Sequence, residues 1–261
     1  MNMSHALRAE WTKLRTVAGP AWLLAALVTL TIAVSALATA AVSCPSATAC
    51  PVDEAKLSLT GVQFGQAIVA VLAVLAITGE YSTGMIRVTL TAMPRRTTVL
   101  AAKAGLLAAL ALAAGALAAA GSVLAGRLIL PGHGFTPDRG FALLSLANAT
   151  MLRAAGGSVL YLALIALLSL GISTMVRDSA VAIGIILALL YLFPIVANVV
   201  TNEQWHRHLE QIGPMTAGLA IQATTDLSSL PISPWAGLGV LAAWAAGAML
   251  AGGLVLRLRD A

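Results

Sequence analysis

AAGGSVLYLALIALLSLGISTMV, residues 154–176, is followed by the pair Arg177-Asp178 and then by SAVAIGIILALLYLFPIVANVVTN, residues 179–202. Neither run contains a charged residue, and each can supply the roughly 20 residues that an α-helix needs to cross a bilayer. The charged pair between them suits a turn at a membrane surface. These two runs therefore predict two transmembrane helices that run in opposite directions.

The same pattern recurs along the whole chain of 261 residues, which is 59% hydrophobic and only 10% charged. Soluble domains carry about 25% charged residues, so lipid is the expected solvent. The first apolar run is too long for the core of a signal peptide and is interpreted as a retained helix. We expect an all-α membrane protein with about six transmembrane helices in a single transmembrane domain, 1–261. The predicted helices lie near residues 19–42, 59–78, 99–121, 156–176, 179–200 and 234–256.

The 15 lysines and arginines fall unevenly on the two sides of these helices. With the N-terminus inside, ten lie on the inner side and five on the outer side. The positive-inside rule then predicts that both termini are cytoplasmic. The net charge of +5 suits anionic lipid head groups, and no nucleic-acid partner is expected. The inner residues are Arg8, Lys13, Arg15, Arg87, Arg95, Arg96, Lys103, Arg177, Arg257 and Arg259.

Residues 1–17 precede the first span and carry apolar residues at helical spacing, among them Leu7 and Trp11. Basic residues occupy the opposite side. This pattern predicts an amphipathic interfacial helix on the inner leaflet, anchored by Trp11, Lys13 and Arg15. The alternative is a basic flank without a defined helix.

Three further local features follow from the residues. Cys44 and Cys50 lie in the first outer loop, where an oxidising exterior permits a disulfide; the alternative is two free thiols. Gly61-x-x-x-Gly65 is a small-residue packing motif.

Residues 201–233, between the last two spans, are expected to form an extracellular re-entrant-like segment. This segment predicts one short helix over 203–211, with Thr201 or Asn202 as its cap. The Gly213-Pro214 pair then ends it, and a second short helix runs towards Ile221.

The segment 79–98 is the longest inner loop. Ser82 or Thr83 can cap a short helix that Pro94 would end. Charged residues flank it, among them Glu80 and Arg87. An exposed, mildly apolar helix favours a partner, whereas the plainer interpretation is a connecting loop whose charges set the topology.

GEYSTGMIRVTLTAMPRRTTVLAAK, residues 79–103, resembles the first cytoplasmic loop of bacterial ABC-2-type ABC transporter permeases. AEWTKLRT, residues 9–16, resembles the connecting helix at the opening of these permeases. The six-helix layout with both termini inside is similar as well. The resemblance spans the chain, but its specific part is these two stretches.

This resemblance implies a membrane-spanning permease subunit of an exporter in the bacterial plasma membrane. Two permeases, identical or related, would pair and dock on a dimer of cytoplasmic ABC ATPase subunits. The loop after the second span would be the coupling helix in a groove of the ATPase, with Glu80 and Arg87 near the interface, and the outer segment would close the exit. The implied coupling residues are Glu80, Tyr81, Ser82, Thr83, Gly84, Met85, Ile86 and Arg87.

The chain itself lacks the motifs of an ATPase or another enzyme. Its lysines, Lys13, Lys56 and Lys103, are followed by Leu, Leu and Ala, so a P-loop is not possible. We therefore expect no directly bound cofactor, with ATP and Mg²⁺ on a partner chain. His206 and His208 are two residues apart and would diverge on a helix, so no metal site is expected.

The spans hold almost no ionisable residues. We expect Glu80 and Asp178 to lie at helix ends beside water, and no pair of carboxylates to be buried. The polar residues within the spans either bond between helices or line a path for an apolar or amphiphilic cargo. Alternatives to the exporter are an ATP-independent secondary transporter, a membrane scaffold, or a lipid-modifying enzyme. The polar residues within the spans are Thr29, Thr31, Ser35, Gln63, Gln66 and Asn198.

Overall fold

The computed structural model describes residues 3–44, 52–85, 96–136, 138, 141, 144–145 and 147–259, and these residues form helices and loops without any β-strand. The predicted all-α class is confirmed. The helices are α1 (Met3–Thr16), α2 (Ala18–Ala41), α3 (Glu54–Ser58), α4 (Val62–Ser82), α5 (Arg96–Ile129), α6 (Ala149–Val176), α7 (Ser179–Val199), α8 (Glu203–Ile212), α9 (Pro214–Leu219) and α10 (Pro234–Arg259).

Within the described ranges, six helices are long and apolar enough to cross a membrane, namely α2, α4, α5, α6, α7 and α10. The six predicted spans are thus confirmed as membrane-type helices. Three of them extend beyond their predicted bounds by four residues or more. Helix α4 continues through Glu80 to Ser82, α5 begins at Arg96 and ends at Ile129, and α6 begins at Ala149. Each extension contains a charged residue, and the ion pairs described below explain why Glu80 does not end α4.

Helix α6 is the centre of the bundle and packs against α4, α5, α7 and α10. Its approach to α10 requires a glycine: a Cβ added at Gly171 would lie 2.4 Å from the backbone carbonyl carbon of Ala248. The predicted Gly61 motif acts in the same way between α2 and α4, because a Cβ at Gly61 would lie 2.0 Å from the carbonyl oxygen of Thr31. Small residues thus set the closest helix approaches.

A break at Val17, whose backbone is extended, separates α1 from α2. Helix α1 packs against α5 and α2. The side chains of Leu7, Trp11 and Arg15 are exposed, whereas Glu10 is buried. We call the end of the bundle that carries α1, the last turn of α4 and the first turns of α5 the α1 end.

The opposite end carries α3, α8 and α9. Helix α8 begins after Asn202, whose side chain accepts hydrogen bonds from the backbone N–H groups of Gln204 and Trp205. Gly213 separates α8 from α9. The predicted pair of short helices and the Asn202 cap are confirmed.

Asp53 fastens two loops at this end to each other. Its carboxylate caps α3 and also accepts hydrogen bonds from the backbone and hydroxyl of Thr224 and from the backbone of Thr225. Burial raises the pKa of Asp53, but these hydrogen bonds outweigh it and leave the pKa below its usual value. The contact joins the α3 loop to the segment that follows α9.

Candidate functional site

Four charged side chains meet at the α1 end, and we call them the ion cluster: Glu10 and Lys13 of α1, Glu80 of α4 and Lys103 of α5. The Lys103 Nζ lies 2.5 Å from Glu10 Oε2 and 2.7 Å from Glu80 Oε1. The Lys13 Nζ lies 2.7 Å from Glu80 Oε1 and 3.0 Å from Glu10 Oε1. Each ammonium therefore contacts both carboxylates, and the cluster ties three helices together.

Three members of the ion cluster are buried: Glu10 is 3% exposed, Lys103 4% and Glu80 7%. The side chain of Lys13 is 29% exposed and forms the accessible edge. Two carboxylates and two ammonium groups give a formal charge of zero. Buried charges in a membrane-type helix are costly unless they are paired in this way.

The hydrogen bonds of Lys103 are complete. Its ammonium group has three donors, and it donates to Glu10, Glu80 and the backbone oxygen of Ala76. For Lys13, burial lowers the pKa, but hydrogen bonds to Glu80 and Glu10 raise it by more, so its pKa lies above the usual value. Lys13 is therefore positively charged at neutral pH.

The local sequence explains how Lys103 reaches the interior. Val99 and Leu107 lie four residues before and after it on α5, and both are buried on the same face of the helix. Glu10 and Lys13 are three residues apart on α1, so one side of that short helix presents both charges. Packing α1 against α5 then brings the opposite charges together.

The expectation that no pair of carboxylates is buried was wrong, because Glu10 and Glu80 share the ion cluster. Lys13, predicted as an interfacial anchor, bonds within the cluster, whereas Trp11 and Arg15 are exposed, and their role as anchors stays a prediction. Asp178 is exposed at the start of α7, as expected, and accepts a hydrogen bond from the backbone of Val181. The position of Lys103 inside an apolar run was the available signal, since such a lysine requires a buried partner.

The predicted coupling residues divide into four groups. Glu80 lies in the interior. Tyr81 is partly buried, and the guanidinium carbon of Arg177 lies 5.1 Å from the centre of its ring. Ile86 and Arg87 lie outside the described residues. The exposed group, which we call the tip segment, is Ser82, Thr83, Gly84 and Met85.

Neither Ser82 nor Thr83 caps the start of a helix, contrary to the prediction, although Met85 is helical again. Ser82 is the last residue of α4 and Thr83 follows it as the cap, and both hydroxyl groups donate to the carbonyl oxygen of Gly79. The backbone of Gly84 then adopts a positive φ of 72°. The chain therefore leaves α4 directly after the residues that the ion cluster holds.

A cavity of about 540 Å³ lies beside the ion cluster, between α1, α2, α4 and α5. Its walls are mainly aliphatic, and Leu23, Leu72 and Leu106 contribute to them. All four members of the ion cluster also line it. The cavity therefore combines a charged end with apolar walls.

A second buried polar group connects the middle of the bundle. Gln66 of α4 accepts a hydrogen bond from the hydroxyl of Tyr161 and donates one to the sulfur of Met215 at 3.1 Å. The Tyr191 hydroxyl donates to the carbonyl oxygen of Gln63 at 2.6 Å. For Gln66 the prediction of bonding between helices is confirmed.

The other polar residues of the spans differ in their exposure and in their hydrogen-bond partners. Ser35 accepts a hydrogen bond from the backbone of Gly61 and so also bonds between helices. Thr31 is buried in the contact of α2 with α4. Thr29 is exposed and bonds within its own helix, and Asn198 is exposed. None of these residues lines the cavity beside the ion cluster.

The residues considered as metal ligands do not converge. His206 Nε2 lies 3.5 Å from Glu210 Oε1, whereas His208 packs against Trp205. Among the described residues no group of three His, Cys, Asp or Glu side chains is arranged to hold a metal ion. Cys44 is disulfide-bonded. Cys50 lies outside the described residues, and the pairing of the two stays a prediction.

Comparison of this chain with models of known protein families and with curated proteins finds no match.

Proposed function

We propose that this chain is the membrane-spanning permease subunit of an ATP-driven ABC-2-type exporter of the bacterial plasma membrane, with both termini in the cytoplasm. A pair of such subunits, identical or related, docks on a dimer of cytoplasmic ATPase subunits that carry ATP and Mg²⁺. The cargo is apolar or amphiphilic. The proposal is supported by six membrane-type helices, a separate helix before the first span, and the resemblance of residues 9–16 and 79–103.

The observation that carries the proposal is the position of the ion cluster directly before the tip segment. Glu80 is held by Lys13 and Lys103, and the exposed residues begin two positions later at Ser82. A force on the tip segment is therefore transmitted to α1, α4 and α5 together. A rigid link of this kind is what a transporter needs when the energy comes from another subunit.

The mechanism assigns this chain a mechanical role. ATP binding closes the ATPase pair and moves the tip segment. The ion cluster makes α1 and the adjoining ends of α4 and α5 follow as a unit. Because α4 and α5 both pack on α6, the movement changes the relative positions of the spans and exposes the path to one side or the other.

A second candidate is an ATP-independent secondary transporter. Buried charges in membrane-type helices are common at ion and proton pathways, and the ion cluster is such a group. The two candidates differ in one requirement, since only the exporter needs an ATPase partner.

The test is co-purification of the tagged full-length chain with a P-loop ATPase encoded beside it. Met85 of the tip segment is 45% exposed, and Leu227 at the opposite end is 42% exposed. Met85→Glu and Leu227→Glu therefore make the same chemical change at opposite ends. We expect wild type and Leu227→Glu to retain the ATPase, and Met85→Glu to retain roughly tenfold less, equivalent to about 1.4 kcal/mol.

Two results would refute the proposal. One is the absence of any associated ATPase with wild type in a mild detergent. The other is an equal loss of the ATPase with both variants, which would place the ATPase contact outside the tip segment. Uptake or release of the cargo by sealed vesicles in the absence of ATP would favour the secondary transporter.

A further inference from the structure

The cavity beside the ion cluster has the features of a binding site. Its volume of about 540 Å³ falls within the range of roughly 300–1,000 Å³ that is usual for small-molecule sites. One end is charged, and the remaining walls come mostly from leucine, valine and proline side chains of α1, α2, α4 and α5. A molecule that fits this surface has a polar head and an apolar body.

Two glycines keep the cavity open. Gly79 of α4 and Gly19 of α2 both line it. A Cβ added at Gly79 meets no atom within 4 Å, and a Cβ at Gly19 comes no closer than 3.9 Å to the side chain of Val17. A leucine at Gly79 would suit the helix better by about 1 kcal/mol, so glycine there preserves space at a cost in helix stability.

The charges at the polar end restrict the head group. The ion cluster has a formal charge of zero, so a zwitterionic head group keeps the buried charges balanced and a singly charged one does not. Glu80 Oε1 accepts from both lysines, whereas Glu80 Oε2 is buried and has no hydrogen-bond partner within the described part of the chain. Glu80 lines the cavity, so an N–H donor at the charged end of the cavity is the group that can supply the missing partner.

We propose that this cavity binds one zwitterionic membrane phospholipid whose head group carries a primary amine. The ammonium group of the lipid approaches Glu80, and its phosphate approaches Lys13, the accessible member of the ion cluster. An acyl chain lies along Leu72, Leu75 and Leu106. The site is independent of the proposed transport function, because it requires only the folded chain.

The experiment measures lipid binding to the purified full-length chain by native mass spectrometry after delipidation. Three lipids with the same acyl chains are added in turn: phosphatidylethanolamine, phosphatidylcholine and phosphatidylglycerol. The first two have the same charges, but only the ethanolamine head group has N–H donors. We expect one ethanolamine lipid per chain, bound about tenfold more tightly than the choline lipid.

Matched glycine variants locate the site. Gly79→Leu fills the cavity and should abolish the tight binding. Gly239→Leu makes the same change at an exposed glycine of α10 with no atom within 4 Å, and should leave binding unchanged. If Gly79→Leu is not monodisperse, Gly19→Leu fills the cavity from the α2 side and replaces it.

Three outcomes would overturn the proposal. They are equal affinity for the ethanolamine and choline lipids, a preference for the anionic glycerol lipid, and unchanged binding when a folded Gly79→Leu or Gly19→Leu variant is used. Because no ATPase is present, none of these outcomes bears on the exporter proposal.

Discussion

Replacing Lys103 by methionine tests whether the ion cluster holds the α1 end together. Methionine has a similar length and fits an apolar surrounding, so packing changes little. The substitution removes the ammonium that lies 2.5 Å from Glu10 and 2.7 Å from Glu80. It leaves two buried carboxylates that share one partly exposed lysine.

The magnitude follows from this geometry. The formal charge of the cluster changes from zero to −1, because Lys13 remains, and one partly buried carbonyl oxygen, that of Ala76, loses its Lys103 donor. Removal of one partner from a buried ion pair costs roughly 3–5 kcal/mol, and we expect about 4 kcal/mol here. For a chain of this size such a loss lowers the melting temperature by roughly 8–16 °C.

The assay is thermal unfolding of the purified chain in detergent, followed by size-exclusion chromatography after heating. Lys56→Met is the matched control, since Lys56 is exposed at the opposite end and its loss should cost less than about 0.5 kcal/mol. Adding Glu10→Gln to Lys103→Met restores a neutral pair of Glu80 with Lys13 and should recover about half of the loss. Equal stability of Lys103→Met and Lys56→Met would refute the reasoning.

The remaining predictions concern the opposite end and the bundle centre. The pKa of Asp53 is lowered in the folded chain. Its carboxylate therefore stabilises the fold above about pH 3.9, and this contribution is lost as the pH falls through the folded pKa. Melting curves between pH 3 and 6 should show this loss in wild type and not in Asp53→Asn. Burial, together with the neighbouring charge of Asp53, raises the pKa of Glu54 to about 7. The contribution of Glu54 to the stability of the fold is therefore complete below about pH 4.3 and is lost as the pH rises through 7. Glu54→Gln should remove that loss, and equal melting temperatures of wild type at pH 5 and pH 8 would contradict it. Gly171→Leu should separate α6 from α10, because the added Cβ would lie 2.4 Å from the backbone of Ala248. The variant should lose the monodisperse peak in size-exclusion chromatography, and an unchanged peak would disprove this contact.

The sequence predicted the helices because crossing a bilayer imposes a length and an apolar composition that can be read directly. All six spans came from uncharged intervals, and the cap at Asn202 with the break at Gly213 came from local backbone chemistry. These features depend on residues that are close together in the chain. They did not require knowledge of which helices are neighbours.

The ion cluster depends on tertiary contacts that no local pattern contains. Glu10 and Glu80 are 70 positions apart, and each taken alone suits a membrane surface. Only the packing of α1 on α5 shows that they share Lys103. The same holds for the cavity, whose walls come from four helices.

The most direct test of the proposed function is site-specific photo-crosslinking in cells. A benzophenone amino acid is placed at Met85 in the tip segment, and in a second strain at Leu227, which is similarly exposed at the opposite end. We predict a covalent adduct with a P-loop ATPase, identified by mass spectrometry, from position 85 alone. No ATPase adduct at position 85, or the same adduct from both positions, would contradict the account.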